Sequence, residues 1–205
     1  MAGRALIKKG LFKVYHGETN EALELTRSGR AMLDERRDPV LYLQSIHNEV
    51  LCLVDLELYR EARSLLWSNL GRYGEHGGKI DRLKMKGLWA LINAGLGKLE
   101  AAARDFEEER EGLQAAGLSY TAAVTSLDLA AVYLQQGRVS ESDAVALEAA
   151  EVFREMEIPE QGRLALLLVE RALELRLVTA ELLRRAAKFL RRVEHDTTAV
   201  FDPKP

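Results

Sequence analysis

Three stretches of the chain read alike: HGETNEALEL at residues 16–25, LGKLEAAARDF at 96–106 and QGRVSESDAVAL at 136–147. Their glycines are separated by multiples of 40 residues, and Glu57 fills the missing position of the series Gly17, Glu57, Gly97 and Gly137. A small side chain follows each of these positions five residues later, at Ala22, Ala62, Ala102 and Ser142. A fifth, degenerate copy has Leu177 and Leu182 at the two positions. A fixed period of this length predicts stacked structural repeats.

Each repeat predicts a pair of helices. The segment Val40–Leu56 is rich in leucine and valine, and Asp38-Pro39 before it favours a helix start. The next segment, Tyr59–Tyr73, has apolar residues three and four positions apart, which is typical of an amphipathic helix. Similar patterns predict helices near 4–15, 19–36, 81–95, 98–116, 119–136, 139–156, 159–176 and 179–194. Because no stretch alternates with a period of two, we expect no β-sheet.

The first helix of each pair also has a residue at an equivalent repeat position. These residues are Gly10, Val50, Ala90 and Ala130, with Val50 the larger exception. Short side chains on both helices of a pair allow close packing. We therefore predict an all-α, right-handed α-solenoid of about five antiparallel helix pairs that ends in a C-terminal capping helix. It forms one domain over 1–196, followed by a flexible tail at 197–205. The expected repeats cover 4–38, 39–78, 80–117, 119–157 and 159–194, and the glycine-rich segment 71–80 is expected to be a flexible connection.

The repeats resemble the tetratricopeptide repeat, in a long variant similar to that of bacterial regulatory proteins. In SLDLAAVYLQQGRVSES at 126–142, the residues that fall where the family has Leu, Gly/Ala, Tyr, Gly and Ala are Leu129, Ala130, Tyr133, Gly137 and Ser142. The period of 40 departs from the family's 34. The resemblance implies a non-catalytic scaffold in bacterial regulation or signalling, with its first helices lining a concave face that binds a peptide or helix of a partner protein.

The same resemblance assigns residues to that concave face. By register they are Ile7, Leu11, Gln44, His47, Leu51, Lys84, Leu91, Val124, Leu127 and Ala131. Most are apolar, so two interpretations compete: a tightly packed core, or an apolar groove for an amphipathic helix or a second copy of the chain. Glutamate at Leu51 or Leu127 should abolish partner binding without loss of helicity if the groove is real. The family's carboxylate clamp is excluded, because only Asn48 and Lys84 match it.

The chain offers no set of residues that predicts an enzyme, a metal site or a cofactor site. Of its four histidines only His47 lies inside a predicted helix, and no ligand-type residue accompanies it at metal-binding spacing. The single cysteine, Cys52, lies among apolar residues and is expected to be a packing residue. Gly77-Gly78-Lys79 lacks the Ser or Thr that a phosphate-binding loop needs after its lysine.

Composition favours a cytoplasmic protein without a membrane segment. The chain has a net charge of −3, which gives no general attraction to nucleic acid, and no apolar run of about 18 residues. The last predicted helix carries a cluster of positive charges, which is an alternative surface for binding nucleic acid. The cluster consists of Arg184, Arg185, Lys188, Arg191 and Arg192. No polar capping helix precedes Arg4, so we expect either an upstream neighbour missing from this sequence or self-association through the first repeat.

Overall fold

The computed structural model describes residues 2–156, 158–196 and 198–202, and for Gln161 only the backbone. Within these ranges the chain forms α-helices and no strand, as the sequence predicts. The helices are α1 (Ala2–Tyr15), α2 (Thr19–Ala31), α3 (Pro39–Asp55), α4 (Tyr59–Ser68), α5 (Leu70–His76), α6 (Lys79–Gly95), α7 (Leu99–Ala115), α8 (Ser119–Gln135), α9 (Val139–Glu155), α10 (Glu160–Glu174) and α11 (Ala180–Val193).

The 40-residue series marks a recurring helix end. Gly17, Glu57, Gly97 and Gly137 all have positive φ, between 60° and 76°. At each of them two backbone N–H groups bond back to carbonyls three and five residues earlier, as in Gly137 to Leu134 and Arg138 to Tyr133. This pair of bonds closes a helix through a left-handed residue. The fifth copy differs by one position, because Arg176 (φ 54°) adopts this conformation and Leu177 does not.

The small residues bring paired helices into close contact. A Cβ added to Gly10 would lie 2.6 Å from the Thr26 hydroxyl oxygen, so α1 and α2 meet at a distance that only glycine allows. In the α8–α9 pair, the Ser142 hydroxyl donates to the Ala130 carbonyl at 2.8 Å. The small residues of the other second helices, Ala22, Ala62 and Ala102, are fully buried. Sequence spacing thus located the close contacts of the α1–α2 and α8–α9 hairpins.

The described chain divides into two compact units, one up to Lys98 and the other from Leu99. In the first unit α3 is central and packs against α1, α2, α4, α5 and α6. In the second unit α8 is central and packs against α7, α9 and α11. Each unit buries its own apolar cluster, and Leu53 and Leu127 are fully buried members of the two clusters.

Two segments differ from the sequence prediction. Part of the predicted connection 71–80 is helical, because α5 runs from Leu70 to His76 and buries Tyr73 against the core of the first unit. Part of the predicted tail also packs: the Phe201 ring meets the Phe189 ring edge-on, with centroids 5.2 Å apart. Thr197 and residues 203–205 of that tail lie outside the described residues.

Candidate functional site

Five of the residues assigned to the concave face lie on two helices that pack against each other, α3 and α6. Gln44 and Lys84 are exposed, whereas His47, Leu51 and Leu91 are half-buried. We call these five residues the α3–α6 face. The face thus combines half-buried apolar side chains with exposed polar ones.

The two residues assigned to α1 have different surroundings. Ile7 is buried, and its Cγ1 would lie 2.8 Å from a Cβ added to Gly29, so Ile7 packs against α2. Leu11 is half-buried and retains contact with solvent. Ile7 is therefore part of the core of the first hairpin, and Leu11 is the α1 residue that remains accessible.

His47 is the half-buried ionisable residue of the α3–α6 face. Its Nδ1 lies 3.4 Å from the Tyr73 hydroxyl of α5. The sequence did not predict this contact. Burial, with a further contribution from the nearby positive charge of Lys84, lowers the pKa of His47 to about 4, against an opposing effect of Asp81. The imidazole is thus neutral at pH 7 and contributes a polar, uncharged group to the face.

The three assigned residues of the second unit are covered. Val124, Leu127 and Ala131 of α8 are all buried. They share one apolar cluster with α11, which contributes Leu183, Ala186, Ala187, Leu190 and Val193. This part of the expected groove is occupied by the last helix of the chain.

Two polar contacts fix α11 against α8. The Tyr120 hydroxyl donates to the Leu190 carbonyl at 2.7 Å. The guanidinium of Arg191 forms an ion pair with the buried carboxylate of Asp128. A buried carboxylate needs a partner of this kind, because isolated burial of a charge is costly. The contacts give α11 a defined register on α8.

The positive charges of α11 are partly used within the chain. Besides the Arg191 pair, Arg184 pairs with Glu181 at 2.9 Å, and the Arg185 guanidinium donates to the Asp202 carbonyl. Arg185 also lies 6.0 Å from the centre of the Phe201 ring. Arg184, Arg185 and Arg191 thus contact groups of the chain itself.

A cavity of about 580 Å³ in the first unit was not anticipated from the sequence. It is lined by Arg60, Arg63, Ser64, Trp67, Leu96 and Lys98. The first four residues have the spacing of a single helix face on α4, and this spacing is the signal that could have revealed the site.

Cys52 is fully buried, and burial raises the pKa of its thiol to about 12, so the thiol stays protonated. Within the described ranges, no three His, Cys, Asp or Glu side chains are grouped so that they could hold a metal ion. None of the described helices is both long enough and apolar enough to cross a bilayer.

Comparisons of this chain with protein-family models, with curated proteins and with solved structures found no match.

Proposed function

We propose that the chain is a non-catalytic interaction module, similar to a long tetratricopeptide repeat, whose α3–α6 face binds an amphipathic helix of a partner protein. We place it in the cytoplasm, in bacterial regulation or signalling, with its hairpins forming a right-handed solenoid. The observation that carries the proposal is the position of α11 on α8, because this is an amphipathic helix bound at the same repeat positions.

The repeat register makes this correspondence specific. Counting in steps of 40 residues, Gln44 and Lys84 correspond to Val124, and Leu51 and Leu91 correspond to Ala131. His47 corresponds to Leu127. The residues that α11 covers in the second unit are therefore the counterparts of the α3–α6 face. A helix laid on such positions buries apolar anchors spaced three and four residues apart.

The polar groups of the two surfaces predict different ligands. Asp128, which binds Arg191 of α11, corresponds by register to Asn48 and Leu88, and neither carries a charge. The α3–α6 face instead carries the exposed amine of Lys84. A partner helix that suits this face has apolar anchors over Leu51 and Leu91 and a carboxylate near Lys84. Binding then depends on shape and apolar contact, with no covalent step.

The test is an affinity pull-down from native lysate with identification by mass spectrometry, beside a light-scattering mass of the purified chain. Leu51→Glu should abolish capture of the specific partner, and Lys84→Glu should weaken it while leaving the fold intact, because Lys84 is exposed. Leu58→Glu is the matched control, since Leu58 is a 45% exposed leucine at the start of α4.

Circular dichroism of each variant separates lost binding from lost structure. Equal capture by the wild type, Leu51→Glu and Lys84→Glu would contradict the proposal. A doubled mass in light scattering that is lost in Leu51→Glu would instead identify a second copy of the chain as the occupant.

A further inference from the structure

The outer face of α4 carries two arginines and a tryptophan that the interaction proposal does not use. Arg60, Arg63, Ser64 and Trp67 lie three, four and seven residues apart, so they share one side of the helix. Leu96 and Lys98, which follow α6, complete the lining of the cavity. Its volume of about 580 Å³ falls within the range of ~300–1,000 Å³ that is usual for small-molecule sites.

The charges of this cavity are unbalanced. Its lining contains three cationic side chains and no carboxylate. No side-chain hydrogen bond or ion pair of Arg60, Arg63 or Lys98 is found within the part of the chain that the structure describes. Several other arginines of the first unit have acidic partners: Arg27 pairs with Glu49, Arg72 with Glu35, and Arg4 with Asp38. Because like charges on adjacent turns repel, an unpaired cluster is destabilising unless an anion binds there.

The aromatic residue of the cavity is unusually exposed. Trp67 has 68% of its surface in contact with solvent. Trp89 touches it edge-on, with ring centroids 6.3 Å apart and ring planes 84° apart. An edge contact orients the indole without stacking on its face. A large ring held in this way, beside cations, can stack on a flat ligand.

We propose that the α4 cavity binds a nucleotide, with the base stacked on Trp67 and the phosphate held by Arg60, Arg63 and Lys98. A nucleotide combines a planar ring with an anion, which are the two features that the cavity complements. Guanidinium groups bind phosphate through paired N–H donors, and the Ser64 hydroxyl supplies a further donor. Phosphate alone would leave the indole unused, and a peptide of acidic residues alone has no flat ring for it.

The experiment uses the full chain in a calorimetric titration, supported by tryptophan fluorescence. The probes are ATP, AMP, a single-stranded eight-nucleotide thymidine oligomer, pyrophosphate and poly-glutamate. The variants are Trp67→Ala, Trp67→Phe and Arg63→Ala. Arg36→Ala is the matched control, because Arg36 is an exposed arginine of the same compact unit outside the cavity.

We expect at least one nucleotide probe to bind, with affinity that falls as salt rises. Trp67→Ala should weaken binding about tenfold or more, while Trp67→Phe keeps most of it, because each stacked base contributes substantially to affinity. Arg63→Ala should also weaken binding, and Arg36→Ala should not. Binding of ATP or AMP identifies a free nucleotide as the ligand, and binding of the oligomer alone identifies single-stranded nucleic acid.

Three results would overturn the proposal. One is the absence of binding by all three nucleotide probes at low salt. Another is equal binding of pyrophosphate or poly-glutamate and the nucleotides, because the ring would then contribute nothing. The third is unchanged affinity in Trp67→Ala with circular dichroism like that of the wild type. Leu51→Glu should leave nucleotide binding intact, so this result is independent of partner capture at the α3–α6 face.

Discussion

The α3–α6 face of the first compact unit and the α8 surface of the second use corresponding repeat positions but have opposite environments. Leu51 and His47 of the first keep contact with solvent, whereas Ala131 and Leu127 of the second are buried under α11. The difference comes from one amphipathic helix, because α11 supplies the apolar surface that covers α8. A repeat register therefore predicts which residues can bind a helix, while the presence of that helix decides whether they are exposed.

The largest expected effect comes from placing a charge on the covered surface. Leu127→Glu should destabilise the second unit by about 4 kcal/mol or more and prevent it from folding normally, because a carboxylate would replace a fully buried leucine. Leu51→Glu should cost far less, since Leu51 is only half-buried. Urea denaturation followed by circular dichroism measures both variants. Similar losses at the two positions would remove the contrast between the faces. The burial of Leu127 is incompatible with unchanged helicity in Leu127→Glu.

We expect pH to have an intermediate effect on the stability of the first unit. The pKa of His47 is about 4 in the folded chain and about 6.5 in an unfolded one. Between these values the unfolded chain binds more protons, so the stability contribution of His47 falls as the pH drops from about 6.5 towards 4. The loss should be about 1–2 kcal/mol, below the full effect of the shift because His47 retains contact with solvent.

The measurement compares urea denaturation of the wild type and His47→Gln at pH 6.5 and pH 4.5. Carboxylates also titrate in this window, so the informative quantity is the difference between the two proteins. An identical pH dependence would show that His47 does not titrate in the way we expect.

A smaller effect is expected where α11 meets α8. Tyr120→Phe removes the hydroxyl that donates to the Leu190 carbonyl but keeps the ring, which packs edge-on against Phe153. We expect a loss of about 1 kcal/mol. Amide hydrogen exchange should show faster opening of α11, with no change in α3. Unchanged exchange in α11 would mean that the apolar contacts alone hold the helix in place.

The smallest effect concerns a turn that belongs to the shared repeat pattern. Glu57 has a φ of 60°, at a position where three of the other repeats have glycine. Glu57→Gly should stabilise the chain by about 0.5–1 kcal/mol, because glycine adopts a left-handed conformation without the steric cost of a Cβ. Thermal unfolding would measure the gain, and Gly97→Ala should show the opposite sign. A loss of stability in Glu57→Gly would show that the Glu57 side chain matters more than its backbone.

Local signals predicted much of this fold. The spacing of Gly17, Gly97 and Gly137 located helix ends because left-handed residues are rare outside such turns. Ala22 and Ser142 located close helix contacts for a similarly local reason. The short helix α5 was missed, since its glycines at 71 and 74 suggested a loop while burial of Tyr73 stabilises a helix.

The functional surfaces were harder to predict because they depend on contacts between distant residues. The sequence pattern of α11 showed that Leu183 and Leu190 share an apolar side. Nothing in the local sequence indicates that this side covers Leu127. The α4 cavity was missed for a different reason. Arg60, Arg63 and Trp67 are an ordinary solvent-exposed series in sequence. The two arginines have no side-chain partner among the described residues, and this is informative only beside the pairing of arginines such as Arg27.

Because α11 is covalently attached to the unit that it covers, a separate helix competes with it for α8 at a disadvantage. A tethered segment faces its own binding surface at an effective concentration in the ~mM range. A separate helix present at micromolar concentration would need about a thousandfold tighter intrinsic binding to α8 to displace it. The second unit therefore discriminates strongly against weakly binding helices.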